Sequence, residues 1–91
     1  MNQELKRVKR DGKYGFKDEM GKIVIPCQWK SVQQFRDGIA RVKDENDLYG
    51  FINERGEIVI PCQWKDVREF SDGLAAVQDV NDLYGFINKS G

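Results

Sequence analysis

Histidine is absent from the 91 residues, and proline and cysteine occur only twice each. Without histidine, the commonest general acid–base group and metal ligand is missing. There is no Cys-x-x-Cys pair, no Gly-rich phosphate loop following a strand and no nucleophile elbow. Net charge is also absent, with Lys+Arg and Asp+Glu at 15 each, so no global field draws the chain to nucleic acid or to an acidic membrane. The longest apolar run is Ile23–Cys27, copied at Ile58–Cys62, far short of the ~20 residues a spanning helix needs. The start, Met1-Asn2-Gln3-Glu4, has no apolar stretch of a secretion leader. These absences predict a soluble protein that is not an enzyme, carries no cofactor or metal, and keeps its thiols free, which favours a cytoplasmic location.

What the chain has instead is repetition. Tyr14-Gly15-Phe16, Tyr49-Gly50-Phe51 and Tyr84-Gly85-Phe86 recur every 35 residues, and Ile-Val-Ile-Pro-Cys-Gln-Trp-Lys stands at 23–30 and again at 58–65. Residues 15–49 and 50–84 agree at 23 of 35 positions, which establishes an internal repeat. The two cysteines are therefore equivalent positions of successive copies. Such positions form a disulfide only if their Cα atoms come within about 7 Å.

Each unit reads as three strands. The run Gly38–Asp44, copied at Gly73–Asp79 and matched near Glu4–Arg10, leads into a short turn. In the first unit that turn is Asp11-Gly12, a two-residue hairpin signal; in the others it is Asn46-Asp47 and Asn81-Asp82. The Tyr-Gly-Phe strand follows, then a loop in which Gly21 and Gly56 suit the left-handed position. The third strand is Ile23–Trp29, copied at Ile58–Trp64, with Pro26 and Pro61 marking it as an edge strand or a bend. The expected architecture is all-β: antiparallel hairpin and meander repeats in a curved or rolled sheet of about eight strands. It forms one repeat domain over 1–91, divided into a terminal hairpin unit at 1–36, a unit at 37–71 and an incomplete unit at 72–91.

Alternation along the strands assigns the core. Ile25, Cys27 and Trp29 share a face with Ile23, and Ile60, Cys62 and Trp64 repeat them. The rings of Tyr14, Phe16, Tyr49, Phe51, Tyr84 and Phe86 are the main apolar payload and are expected to pack inside. Gly15, Gly50 and Gly85 between them predict close approach by another backbone. The Asp44–Asp47 cluster fails the calcium-loop spacing, because Leu48 and Tyr49 fall where a ligand and a glycine belong; a turn exploiting Asn and Asp is the better account.

These phrases together, from Lys13-Tyr14-Gly15-Phe16 through Gly21-Lys22-Ile23-Val24-Ile25-Pro26 to Phe35, Asp37-Gly38 and Ala40, resemble the WG-containing repeat of bacterial proteins over nearly the whole chain. The tryptophan usual before the glycine in that family is Tyr14, Tyr49 and Tyr84 here. The resemblance implies a β repeat, often arrayed, acting in binding or scaffolding, and it carries no catalytic or metal-binding residues. The favoured function is thus a protein-binding or scaffolding module. Its last hairpin lacks the Ile-Val-Ile strand of its predecessors, and that edge invites an added chain. Residues 1–30 carry eight basic and four acidic side chains and residues 31–91 seven and eleven, a polarity that suits head-to-tail self-association or domain swapping. Competing readings are a carbohydrate or cell-envelope module using a row of exposed aromatics, and a small antagonist or immunity-type protein. The basic stretch splits by alternation into Arg7 and Lys9 on one face and Lys6 and Arg10 on the other. It is a solvated edge strand or a partner contact, and no RNA-binding signature accompanies it.

Overall fold

The computed structural model describes residues 4–90; Met1–Gln3 and Gly91, the outermost residues of the first and last units, lie outside them. The described chain is all-β and antiparallel, with ten strands rather than eight. They are β1 (Lys6–Arg10), β2 (Lys13–Lys17), β3 (Ile23–Trp29), β4 (Ser31–Val32), β5 (Ile39–Lys43), β6 (Tyr49–Asn53), β7 (Ile58–Trp64), β8 (Asp66–Val67), β9 (Ala75–Gln78) and β10 (Tyr84–Ile87). The two additional strands, β4 and β8, are two-residue pieces inside what the sequence reads as a connection.

Those short strands reorganise the architecture. Instead of one curved sheet there are three: β1-β2-β3, then β4-β5-β6-β7, then β8-β9-β10. After Trp29 the chain crosses to the next sheet, where Ser31 and Val32 pair with Lys43 and Val42. Asp66 and Val67 repeat the crossing against Gln78 and Val77. The sheets therefore change at Lys30 and Lys65, six residues before the unit boundaries that the sequence suggests.

Local chemistry accounts for the turns. Asp11-Gly12, Asp37-Gly38 and Asp72-Gly73 each place both residues at positive φ (52° and 82° in the first), the geometry of a type I′ turn. The last two close miniature hairpins at the bridges Arg36↔Ile39 and Ser71↔Leu74. The longer loops are all one construction. Asp18 Oδ1 accepts hydrogen bonds from the backbone N–H of Met20 and Lys22, and Asp44, Asn53 and Asp79 do the same two and four residues on. The left-handed position is Gly21 or Gly56 in one set and Asp47 or Asp82 in the other. The Asp44 carboxylate is thus committed to two amides, as an Asx turn requires.

The core lies between the sheets. One cluster joins Leu5, Phe16, Ile25 and Trp29 of the first sheet to Val32, Ala40, Val42 and Ile52 of the second; the other joins Phe51 and Ile60 to Val67, Ala75, Val77 and Ile87 of the third. Each sheet consequently has two distinct faces. The forward face carries the Tyr-Gly-Phe rings, and in the second and third sheets the rear face receives the rings of the preceding sheet. Phe35 and Phe70 close the sides, with ring centroids 4.7 Å from Phe16 and 5.1 Å from Phe51. Burying each such ring contributes about 1.5–3 kcal/mol.

Gly15 and Gly50 show why the repeat needs a glycine. Between Tyr14↔Trp29 and Phe16↔Ile25, three residues of β3 face one of β2, and β7 does the same against β6. The excess, Pro26-Cys27-Gln28 or Pro61-Cys62-Gln63, bulges over the glycine. A Cβ on Gly15 would stand 2.7 Å from the Pro26 carbonyl carbon and oxygen; one on Gly50 would stand 2.5 Å from Ile60 O and 2.8 Å from Cys62 N. The bulge also moves Cys27 and Cys62 off the core face that simple alternation assigns them. Both are free and half-buried.

Candidate functional site

Of the residues assigned to the core by sequence, Gly15, Phe16, Ile25, Trp29, Gly50, Phe51 and Ile60 are buried, while Tyr14, Cys27, Tyr49, Cys62 and Trp64 are half-buried. Tyr84, Gly85 and Phe86 are not core. Tyr84 is 79% exposed and Phe86 73%, against 0% for Phe16 and 5% for Phe51. The pairing Val77↔Gly85 repeats Val42↔Gly50 and Val8↔Gly15, so these are strictly equivalent positions. The reason for the correction is that burial of this ring depends on the sheet in front. The described residues place no sheet against the forward face of the third and no strand on the outer edge of β10. Gly85 accordingly has nothing within 4 Å of a virtual Cβ.

This forward face also differs from its predecessors in chemistry. By the same register, Arg7 and Lys9 of β1 correspond to Arg41 and Lys43 of β5 and to Ala76 and Gln78 of β9, and Leu5, Ile39 and Leu74 stand two residues before Arg7, Arg41 and Ala76. Within the stack the cations lie against tyrosine. Lys9 Nζ is 5.4 Å from the Tyr14 ring centroid, and Arg41 and Lys43 are 4.9 and 5.4 Å from that of Tyr49. On the last sheet both cations are replaced by uncharged residues. Leu74, Tyr84 and Phe86 are all exposed there, and Val80 and Leu83 stand exposed in the adjoining hairpin loop. A patch of this composition is the kind of surface that takes a protein partner.

The opposite end of the stack is polar. Lys6, Val8 and Lys17 hold the rear-face positions occupied in the middle sheet by Ala40, Val42 and Ile52. Of the four basic residues read as a partner contact, the structure separates two pairs, as alternation predicts. Lys6 and Arg10 are exposed on the rear side, Lys9 covers Tyr14, and Arg7 reaches a cavity shared with Arg41 and Arg68. β1 is an edge strand. Among the described residues the exposed rings are Tyr84 and Phe86, both on β10. Burial, with Asp44 nearby, pushes the Cys62 thiol up to about 11, and Cys27 Sγ sits 3.7 Å from Val8 O.

Sequence reasoning missed the forward face as a site because it treated the three Tyr-Gly-Phe triplets alike. The available signal was the loss of Arg and Lys at Ala76 and Gln78.

The sequence profile described as WG containing repeat matches residues 14–48 and 49–84. Each match runs from a Tyr-Gly-Phe strand through its Ile-Val-Ile-Pro strand to the following hairpin. No curated protein and no solved structure matches the chain. Two consecutive matches covering most of its length, with the same strands folded in each, place the chain in the WG containing repeat family.

Proposed function

We propose that this repeat domain is a non-catalytic protein-binding module whose receptor is the forward face of the last sheet together with the open edge of β10. The observation that carries the reading is the exposure of Phe86 at a position where its two equivalents are buried. The occupant is defined by what covers those equivalents. It is a β layer presenting small apolar side chains at the spacing of Ala40, Val42 and Ile52, accompanied by an extended Ile-Val-Ile-Pro segment that pairs with the edge. Neutral Ala76 and Gln78 suit such an apolar, uncharged partner.

A second copy of the chain is the weaker occupant when simply stacked. Its rear face would set Lys6 and Lys17 over Tyr84 and Phe86, and burying two ammonium groups is costly. Exchange of β3 or β7 between copies avoids that cost, because it delivers the chain's own Ile-Val-Ile-Pro strand to β10.

The test is an amide-shift titration of the labelled full chain with the synthetic peptide Ile-Val-Ile-Pro-Cys-Gln-Trp-Lys, alongside light scattering at low and high salt. Saturable shifts at Tyr84–Ile87 support the receptor. Dimers that survive high salt support strand exchange. A monomer at every concentration whose β10 amides ignore the peptide overturns the proposal.

A further inference from the structure

A cavity of about 350 Å³ opens where the three sheets meet, bounded by β1, the loops after β4 and β8, β5, β6 and Lys89. That volume is within the range of small-ligand sites. Its lining is charged far out of proportion to a chain of balanced composition. Arg7, Arg36, Arg41, Arg68 and Lys89 face Asp37 and Glu69 alone, five cations against two carboxylates.

The carboxylates are already engaged. Arg36 pairs with Glu69 at 3.0 Å and Lys89 with Asp37 at 3.8 Å, both linking successive units. Arg41 is held by a hydrogen bond to the Val67 carbonyl and by the Tyr49 ring. Arg7 and Arg68 make no ion pair among the described residues, and they line the same concavity. Beneath them the floor is apolar: Phe51 and Phe70 meet edge to face at 5.1 Å, with Ile39 beside them.

A surface of separate arginines would simply be solvated. Here the surplus charge is gathered around one concavity, with buried Phe51 and half-buried Phe70 and Ile39 at its floor, which concentrates positive potential on whatever enters. Guanidinium forks match the two oxygens of a carboxylate or phosphate, while the phenylalanines accept a hydrocarbon body. We propose that this cavity binds a small organic anion, an aryl or alkyl group bearing a carboxylate or phosphate, with Arg7 and Arg68 on the oxyanion and Phe51 and Phe70 against the apolar part. The site is independent of the β10 receptor, since it uses none of that face.

The experiment is a titration of the full-length labelled chain with 3-phenylpropionate, phenyl phosphate, inorganic phosphate and neutral 3-phenylpropanol, read at backbone amides and arginine Nε–H resonances. Saturable shifts at Arg7, Arg68 and Phe70 are expected with both aryl anions, with the tighter one assigning the headgroup. Affinity should be weaker for inorganic phosphate and about tenfold or more weaker for the neutral alcohol. R7Q/R68Q should lose about tenfold or more for the aryl anions, whereas R10Q, outside the cavity, should bind as the parent does. Shifts at Tyr84–Ile87 instead would report the other site and overturn this one. So would an equal response to 3-phenylpropanol, or no saturable response to either anion; these comparisons use the parent chain and do not depend on the variants folding.

Discussion

The middle and last sheets contain the same pentapeptide, Tyr-Gly-Phe-Ile-Asn, at 49–53 and 84–88. In the middle sheet its glycine, phenylalanine and isoleucine are all buried; in the last only Ile87 is. Identical letters with the same cross-strand partners, Val42↔Gly50 and Val77↔Gly85, thus meet different surroundings. Ile52 and Ile87 face rearward onto a sheet that is present in both cases. The phenylalanines face forward, where only the middle sheet has a neighbour. Alternation states which side of a strand a residue occupies, and the next layer decides whether that side is core or surface.

The largest contrast should come from the glycine. Gly50→Ala drives a methyl group into the Ile60 and Cys62 backbone, which can yield only by undoing the bulge of β7, so a loss of about 3 kcal/mol or more is expected. Gly85→Ala meets nothing within 4 Å and should be neutral or stabilising by up to about 1 kcal/mol through the unfolded chain. Urea denaturation of the two variants measures both. Equal losses would mean that β10 is covered in solution as β6 is.

Next in size is the ring itself. Phe51→Ala empties a packed site and should cost about 3–5 kcal/mol, whereas Phe86→Ala, at an exposed position, should stay within about 0.5 kcal/mol. Phe86→Ala should also reduce binding of an apolar dye such as ANS. A large stability loss for Phe86→Ala would show that its face is occupied, most simply by a second copy, and light scattering on the same sample decides that.

Much of this was legible in the letters. The 35-residue period, Asp11-Gly12 as a tight turn, the left-handed Gly21 and Gly56, the edge position of the proline strands and the close approach at Gly15 and Gly50 all follow from local stereochemistry. The layering was not legible, because Ser31-Val32 and Asp66-Val67 are too short to show a period of two, and their pairing across sheets makes three layers out of one meander. For the same reason the exposure of Tyr84 and Phe86 was hidden, since it depends on a neighbour that no local pattern encodes. The cavity was hidden too: Arg7, Arg41 and Arg68 lie far apart in sequence and converge only through stacking.

The bulge over Gly50 supplies a chemical reporter that the last sheet lacks. Cys62 is pushed up to about 11 from the ordinary 9.0, first by burial and then by Asp44. A thiol raised in this way holds its proton in the folded chain while the unfolded chain gives it up. The associated stability is therefore complete below pH 9 and lost as pH rises from about 9 to 11. Alkylation of Cys62 should accelerate with pH throughout that window. A Cys62 that reaches its full alkylation rate near pH 9 would show that β7 does not close over β6 as described.

The smallest effect concerns the hairpin loops. In the middle sheet, Glu45 pairs with Lys13 of the first sheet and Asp47 with Lys30, and these hydrogen bonds hold both carboxyls below their ordinary values of 4.5 and 3.8. The last sheet keeps the counterpart pair, Lys65 with Asp82 at 2.6 Å, but has Val80 where Glu45 would stand. Lowered carboxyls favour folding above the unfolded values and lose that contribution as pH falls through the folded ones, so the window lies at and below about pH 4.5. Because all these groups are solvent-exposed, screening leaves each pair only a slight influence. Glu45→Gln should slightly flatten the fall in urea midpoint between pH 6 and pH 3, and Val80→Gln should leave it unchanged. If Glu45→Gln keeps the parent's full pH slope, the contact between the first and middle loops contributes nothing to holding their sheets together, and the stack rests on its buried rings alone.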